Sequence, residues 1–182
     1  MLFEPLKVMD KTGHEVILRN AEIGDAENLI TYLKITASET PYLMREPDEV
    51  DLSVEQEQGF IQRMIDSDRE LMLVAIIDGK HIGNCSLMGI GDYKRYRHRC
   101  DIAIALYQEY CGRGIGKMML EVVLGIAKKL GYEQAELEVI ADNKNAVTLY
   151  EKLGFEKYGH FPDNMKYENG RYADAYWMMK KL

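Results

Sequence analysis

The sequence predicts a mixed α/β domain, and three observations lead to this prediction. Segments that alternate apolar and polar residues, as strands do, are interspersed with segments of helical periodicity. A strand, a helix and a strand follow one another between residues 97 and 141, which predicts a right-handed parallel crossover. Two dipeptides typical of tight hairpins, Asp78-Gly79 and Asn169-Gly170, predict antiparallel pairs. With 182 residues the chain is long enough for the core of one domain, expected to cover residues 1–182.

The first elements are predicted to be one strand and two helices. Residues 15–21 alternate as a strand does, and a helical pattern begins after Asp25. Ser53 and Gln56 form the pattern of a capping box, in which each side chain binds the backbone N–H of the other residue. A second helix is therefore expected from this point, and the 38–58 segment between the two helices is irregular.

The rest of the chain is predicted to complete the order β α α β β β α β α β β. Strands are expected at residues 70–78, 80–90, 97–106 and 134–141, with two more near the C-terminus. Asp78-Gly79 and Asn169-Gly170 are both expected to form type I′ turns, whose two central residues need a positive φ. Helices are expected after the glycines at 112–116 and after Asp142 or Asn143, one of which would cap the second helix.

Composition and charge narrow the functional classes. The net charge of −7 argues against nucleic acid as a partner, because phosphates call for basic patches. This acidity fits a cationic substrate, and it also fits mere solubility. The longest apolar run, LMLVAII at 71–77, is too short to cross a bilayer, and the N-terminus shows no signal-peptide pattern. Three cysteines without a CxxC pair and four histidines without metal-ligand spacing predict a reducing cytoplasm, with no structural metal or disulfide.

The stretch GRGIGK at 112–117 lies between a predicted strand and a predicted helix. Such a turn presents free backbone N–H groups and the positive end of the helix dipole, so it predicts an anion site suited to phosphates. A P-loop would need glycine at 111 and serine or threonine at 118, but the residues are Cys111 and Met118. A dinucleotide fingerprint starting at Gly112 would need a glycine where Lys117 stands. A tight turn without a ligand is the alternative at this point.

The sequence LEVIADNKNAVTLYEKLGFEKYG at 137–159, at this distance after the glycines, resembles the GNAT superfamily of acetyl-CoA-dependent N-acetyltransferases. The family's glycine pattern, Gln/Arg-x-x-Gly-x-Gly/Ala, corresponds to residues 111–116, and Cys111 departs from it at the leading position. The family's second block is matched by Leu137, Glu138, Val139, Asn143, Ala146, Leu149, Tyr150, Gly154 and Phe155. The resemblance implies a single-domain fold with a mostly antiparallel central sheet, a parallel splayed strand pair and flanking helices.

The resemblance also implies that acetyl-CoA is the cosubstrate and lies where the parallel strands splay apart. Its diphosphate is expected on the backbone N–H groups of Gly112, Arg113, Gly114, Ile115, Gly116 and Lys117. Its pantetheine arm is expected to pair with the backbone around Ile104 to Leu106, and a backbone N–H near Leu106 is expected to bind the oxyanion. Asn143 is expected to contact the cosubstrate or only to cap its helix. Cysteine at position 111, in place of glutamine or arginine, is expected to lower the affinity for acetyl-CoA only slightly, because the loop binds through main-chain groups. Cys111 is not expected to be a nucleophile, because no base is predicted near it.

Attack of an amine on the thioester requires a base, because an alkyl amine with a pKa of about 10.4 is almost entirely protonated at neutral pH. The resemblance places Tyr150 at the cosubstrate as the acid that protonates the departing thiolate, although a buried core tyrosine would fit the helical period equally well. For the base, Glu138 matches the carboxylate of family members that acetylate protein N-termini, and Asp101 matches the position of an acid in other members. His98 is a third choice, and each of the three could instead lie on a solvated strand face.

The 38–58 segment lies where the family usually builds its acceptor-binding wall. Its acids are Glu39, Glu46, Asp48, Glu49, Asp51, Glu55 and Glu57, against the single base Arg45. They could attract a cationic amine or form a solvated loop. The expected acceptor is a small amine or a peptide or protein amino group, and a homodimer is one expected assembly, since homodimers are common in the family. A non-catalytic acetyl-CoA sensor and a nucleotide-dependent enzyme on a Rossmann-like fold are the alternatives.

Overall fold

The computed structural model describes all residues, 1–182, as eight strands and four α-helices. The strands are β1 (Leu6–Met9), β2 (Glu15–Asn20), β3 (Leu71–Ile77), β4 (Lys80–Gly89), β5 (Arg99–Leu106), β6 (Gln134–Ile140), β7 (Glu156–Lys166) and β8 (Tyr172–Lys181). The helices are α1 (Ala26–Glu39), α2 (Val54–Asp66), α3 (Ile115–Lys129) and α4 (Lys144–Lys152). The predicted order is confirmed, except that β1 was missed because it is a four-residue, mostly exposed edge strand without clear alternation. None of the four helices is both long enough and apolar enough to span a membrane.

All eight strands belong to one sheet, in the order β1-β2-β3-β4-β5-β6-β8-β7. Every neighbouring pair is antiparallel except β5 and β6, which are parallel and are joined through α3, so the predicted parallel pairing is confirmed. Their ladder begins at Arg99 opposite Gln134 and ends at Asp101 opposite Glu136. Beyond Asp101 the two strands no longer pair, and this fork is the predicted splay.

The two hairpins turn differently. Asp78 and Gly79 both have positive φ, 49° and 77°, which confirms the type I′ turn between β3 and β4. Between β7 and β8 the type I′ prediction is wrong, because only Gly170 has a positive φ, 80°. The Tyr167 N–H donates to the carbonyl of Arg171, so three residues form the loop, and such a loop needs the left-handed conformation only at its last position.

Helices cover both faces of the sheet in its middle. All residues of β3 are buried, as expected for a strand covered on both sides. A Cβ at Gly116 of α3 would lie 3.7 Å from Ile104 Cδ1 and 3.8 Å from Leu149 Cδ2, so α3 and α4 share the Ile104 face. Tyr32 of α1 lies on the opposite face, where its hydroxyl donates to the Ala105 carbonyl at 2.7 Å. On that second face the side chain of Asp101 is exposed, which leaves the fork open to solvent.

The predicted capping box at the start of α2 is confirmed. The Gln56 N–H donates to Ser53 Oγ at 3.2 Å, and the Ser53 N–H donates to Gln56 Oε1 at 2.8 Å. These two bonds fix where the irregular segment after α1 ends and where α2 begins.

Candidate active site

The fork between β5 and β6 exposes a free strand edge. The Tyr107 N–H donates to the carbonyl of Ile82 at 3.1 Å, on the β4 side of β5. Because the backbone groups of a strand point alternately to its two edges, those of Ile104 and Leu106 point to the other edge, where the β6 ladder has already ended. An amide-bearing arm can pair with this edge as an added strand would.

The glycine stretch forms an anion cradle at the start of α3. Gly112 and Gly114 have φ values of 78° and 87°, a conformation that other residues rarely adopt. No protein group accepts a hydrogen bond from any backbone N–H between Gly112 and Lys117, and the first paired N–H is that of Met118, which donates to the Gly114 carbonyl at 3.2 Å. These free donors and the helix dipole fit the diphosphate of acetyl-CoA.

Two side-chain contacts hold the turn that leads from β5 into the glycine stretch. The Gln108 N–H donates to Glu39 Oε2, and Lys80 Nζ to Glu109 Oε1, both at 2.8 Å. The Arg113 guanidinium is paired with Asp10, so Arg113 is expected to offer the diphosphate its backbone N–H group. Lys117 pairs with an acid of its own helix, four residues on, at 3.3 Å.

Asn143 is the N-cap of α4, as one of the two predicted readings requires. Its Oδ1 accepts the N–H of Ala146 at 3.2 Å. Since this bond uses one lone pair of one side-chain oxygen, the amide group of Asn143 is still free to donate to a ligand.

Tyr150 is buried in the α4 layer, with 7% of its surface exposed, and its ring packs edge to face on Phe155 at 5.9 Å. Burial, followed by the nearby Cys85 and Asp101, raises the pKa of Tyr150, so the phenol keeps its proton. Its hydroxyl has no hydrogen-bond partner within the protein, although buried tyrosine hydroxyls usually have one. Tyr150 is therefore both a packing residue and an uncommitted proton donor.

Three acids share the open face of the sheet at the fork. Asp101 and Glu136 are register partners, and Glu138 follows two residues later on the same face. Glu136, which is not among the predicted site residues, is only 5% exposed and accepts hydrogen bonds from Arg99 at 2.5 and 2.6 Å. Burial alone would raise the pKa of Glu136, but hydrogen bonds from Arg99 and Gln134 lower it, so Glu136 stays ionised and paired. Glu136 could have been predicted from the alternation of residues 134–140, because it lies two residues before Glu138 and so on the same face of the strand.

Asp101 differs from Glu136 because nothing compensates its charge. Its carboxylate makes no hydrogen bond or ion pair with a protein group, and the residue is accessible to solvent although protein surrounds part of the carboxylate. Desolvation by the surrounding protein, then the negative charges of Glu136 and Glu138, raise the pKa of Asp101 to about 6. Such a group is mostly ionised at neutral pH and is basic enough to accept a proton.

Glu138 and His98, the rival bases, have other partners. Glu138 accepts hydrogen bonds at both carboxylate oxygens, from Asn164 Nδ2 at 2.9 Å and from Trp177 Nε1 at 2.8 Å. His98 precedes β5, and its backbone carbonyl accepts the N–H groups that lead into β6. The structure therefore brings Asp101 and Glu138 together at the fork and gives the His98 side chain no partner in this group.

An aromatic cluster of Tyr158, Phe161 and Trp177 lies beside these acids. The ring centroids of Tyr158 and Phe161 are 6.2 and 5.8 Å from that of Trp177. The three side chains are 39–51% exposed, and two of them are tethered to the acids, since Tyr158 Oη donates to Glu136 at 3.3 Å and Trp177 donates to Glu138. This cluster could not be predicted from the sequence, because it depends on how β7 pairs with β8.

The segment between α1 and α2 lies at the rim of this face, where the acceptor wall was expected. Tyr167, in the β7–β8 hairpin, donates its hydroxyl to the Pro41 carbonyl at 3.0 Å. Tyr42 donates to the Asp142 carbonyl, at the end of β6, at 3.5 Å. The segment therefore contacts both the C-terminal hairpin and the turn that leads into α4.

Comparison with known proteins agrees with this geometry. The model of the acetyltransferase (GNAT) family matches residues 35–155. The L-amino acid N-acetyltransferase AaaT of Escherichia coli is 27% identical over 91% of this chain and 98% of its own length. The N-alpha-acetyltransferase of Saccharolobus solfataricus is 29% identical over 93% of this chain and 95% of its own.

Solved structures show the same fold. A GNAT acetyltransferase from Streptococcus pneumoniae, 30% identical, superposes with a TM-score of 0.87 over 92% of this chain and 99% of its own. A GNAT phosphinothricin acetyltransferase from Sinorhizobium meliloti in complex with acetyl-CoA, 22% identical, gives a TM-score of 0.80 over 92% and 88%.

These findings confirm the predicted fold class, the acyltransferase class and acetyl-CoA, which the family uses, as cosubstrate. They do not favour a non-catalytic sensor, since the similar proteins carry enzyme names. A Rossmann-like fold is wrong, because the sheet has a single parallel pair. The chain belongs to the GNAT acetyltransferase family.

Proposed function

We propose that the protein transfers the acetyl group of acetyl-CoA to the α-amino group of an amino acid or of a peptide. The observation that carries the catalytic part is the fork of β5 and β6, where the uncompensated Asp101 and the unpartnered Tyr150 hydroxyl flank one gap. The names of two relatives support the acceptor: one acts on L-amino acids and the other is an N-alpha-acetyltransferase, and both kinds of substrate present an α-amino group.

Each residue has a separate role in this proposal. Asp101 first takes the proton that the ammonium group must lose and releases it to solvent, so that the free amine can attack, and it takes a second proton from the nitrogen once the C–N bond has formed. The Leu106 N–H, on the free edge of β5, donates to the oxyanion. Tyr150 gives its proton to the sulfur as the C–S bond breaks, and both side chains regain their starting protonation from solvent. Asn143 and the N–H groups from Gly112 to Lys117 hold the cosubstrate.

Asp101 suits the base better than Glu138 does. Both oxygens of Glu138 already accept hydrogen bonds from neutral donors, so this carboxylate is held in place at the site. A charge held in this way attracts an ammonium group to the fork. Asp101 has free oxygens and a raised pKa, so it can take the proton that the ammonium must lose.

The aromatic cluster is proposed to receive the side chain of the acceptor. It adjoins Glu138, which would hold the amine, and exposed rings of this kind favour apolar groups. An α-amine next to an apolar side chain fits the acid and the rings at the same time.

A panel of acceptors tests the function directly. Release of CoA is measured with L-amino acids, with short peptides that have free N-termini, with Nα-blocked lysine and with polyamines. The expected result is turnover of α-amines and little turnover of blocked lysine or polyamines. Equal turnover of blocked lysine would contradict the assignment, and the amino acid and peptide arms separate the two sources of the α-amine.

Three further expectations remain proposals. A cytoplasmic location fits the exposed free thiol of Cys111, since a reducing compartment keeps such a thiol unmodified. One catalytic domain over residues 1–182 fits the continuity of the sheet from β1 to β8. A homodimer is tested by measuring the mass in solution by light scattering.

A further inference from the structure

The tip of the β1–β2 hairpin, residues 10–14, packs against the glycine loop. The Lys11 N–H donates to the Arg113 carbonyl at 3.0 Å. Arg113 Nε in turn donates to Asp10 Oδ2 at 2.6 Å, and the Asp10 side chain is completely inaccessible to solvent. This contact joins positions 103 residues apart, and the hairpin tip lies outside the region that the family model matches.

Asp10 also organises the hairpin tip itself. Its Oδ1 accepts hydrogen bonds from the Thr12 N–H at 2.8 Å, the Thr12 hydroxyl at 2.7 Å and the His14 N–H at 3.0 Å. Burial alone would raise the pKa of Asp10, but these bonds and the Arg113 guanidinium hold it well below the ordinary range. The tip is therefore a fixed structure, and the Arg113 guanidinium is committed to it.

The tip places the Lys11 side chain across Gly114, the N-cap of α3. A Cβ at Gly114 would lie 3.2 Å from Lys11 Cε, 3.3 Å from Cγ and 3.5 Å from Cδ, so the stem runs along this glycine. The ammonium is one bond beyond Cε, within about 5 Å of that Cβ position. No acidic side chain lies within ion-pair distance of the Lys11 ammonium, and Lys11 is exposed.

The other positions near the glycine loop that could supply a positive charge either hold an uncharged residue or pair with an acid of the protein. Position 111 holds a cysteine where the family pattern has glutamine or arginine. Arg113 is paired with Asp10, and Lys117 with Glu121 at 3.3 Å. Lys11 also lies beside the free N–H groups, and unlike Arg113 and Lys117 it forms no ion pair with an acid of the protein.

We propose that Lys11 binds a phosphate group of acetyl-CoA, so that the N-terminal hairpin forms the second wall of the diphosphate site and supplies the charge that Cys111 does not. The proposal rests on acetyl-CoA as the cosubstrate and is independent of which amine is acetylated. The ligand chemistry is a phosphate monoester or diester oxygen, with two sources in acetyl-CoA: the diphosphate and the 3′-phosphate.

Binding of acetyl-CoA to the full chain, measured by calorimetry without any acceptor, tests the proposal. Lys11→Met keeps the apolar stem over Gly114 and removes the charge, and it is expected to raise the dissociation constant about tenfold. Lys11→Arg should keep most of the affinity. Lys7→Met is the matched control, because Lys7 is a lysine of the same hairpin that pairs with Glu15 at 3.0 Å, and it should leave binding unchanged.

Two further measurements distinguish a loss of charge at Lys11 from a change in the folded structure. Raising the salt concentration should weaken binding more steeply in the wild type than in Lys11→Met, because a charge–charge contact is screened. The melting temperature of unliganded Lys11→Met should equal that of the wild type. With 3′-dephospho-acetyl-CoA, a persisting loss assigns Lys11 to the diphosphate, and a vanishing loss assigns it to the 3′-phosphate.

Equal affinity of Lys11→Met and wild type would overturn the proposal, and so would a loss of affinity that is independent of salt. Because the assay needs no acceptor, these outcomes are distinct from a failure of the proposed α-amine specificity, which would leave acetyl-CoA binding intact.

Discussion

Asp101 is expected to govern the fall in activity at acidic pH. With a pKa of about 6, its carboxylate is about 90% ionised at pH 7 and about 10% ionised at pH 5. Asp101→Asn keeps the shape of the side chain but cannot accept a proton, so kcat/KM at pH 7 should fall about 10²- to 10⁴-fold. The ratio of wild-type to variant kcat/KM should itself fall about tenfold between pH 7 and pH 5.

The ratio is the useful quantity, because ionisation of the amine affects both enzymes equally. CoA release is measured by chromatography at saturating acetyl-CoA and constant ionic strength from pH 5 to pH 8. A base with an ordinary aspartate pKa of about 3.9 would lose less than about 10% of its ionised form over the same interval, so the two cases are well separated.

Two variants serve as controls for this experiment. Asp92→Asn removes an exposed acid in the turn before β5 and should leave the profile unchanged. Glu138→Gln removes one of the negative charges that raise the pKa of Asp101, so it should move the acidic limb to lower pH. A wild-type to Asp101→Asn ratio that stays constant from pH 5 to pH 8 would refute Asp101 as the base.

Three other substitutions test other parts of the molecule. Tyr150→Phe should lower kcat about 100-fold with little change in the KM for acetyl-CoA, because it removes only the proton donor; an unchanged kcat would leave Tyr150 as a packing residue. Trp177→Ala should raise the KM for α-amines with apolar side chains about five- to tenfold, and the KM for glycine less; equal effects on both acceptors would contradict the proposed side-chain site. His81 is 7% exposed, and burial lowers its pKa to about 4, so the unfolded chain binds more protons than the folded one between pH 6.5 and 4. Stability should therefore fall as pH falls through this window, by up to about 3 kcal/mol from His81 alone, and urea unfolding should show a weaker pH dependence in His81→Leu than in the wild type; an equal dependence would rule out this contribution.

The parts of the fold that the sequence predicted correctly depend on local rules. The Asp78-Gly79 turn, the Ser53 capping box and the Asn143 cap each involve residues within four positions of one another, so their chemistry can be read from a short stretch. β1 could not be predicted in this way, because its four residues form a strand only through their pairing with β2, and a short exposed segment shows no pattern of its own. The type I′ turn predicted at Asn169-Gly170 was wrong, because the dipeptide alone does not determine how many residues lie between the ends of the two strands.

The residues of the candidate site also fall into those that a short stretch of sequence can predict and those that depend on the pairing of distant strands. The stretch proposed to hold the diphosphate is continuous in the sequence, so its residues could be proposed without the structure. The choice between Asp101 and Glu138 could not be made, because it depends on which carboxylate has partners. Those partners, Asn164 of β7 and Trp177 of β8, lie 26 and 39 residues after Glu138 and reach it only because β8 pairs with β6 and β7 pairs with β8.

The short ladder between β5 and β6 has a mechanical consequence. Within the sheet, it joins two plates, one formed by β1 to β5 and the other by β6 to β8, through register pairs at Arg99, Cys100 and Asp101. The hydrophobic core bridges this seam, because one cluster of buried side chains includes Ile102 of the first plate and Leu137 and Met178 of the second. The plates are therefore held together by packed side chains and by the Arg99–Glu136 ion pair more than by sheet hydrogen bonds. A substitution that removes core volume at this seam is expected to loosen the contact between the two halves of the sheet.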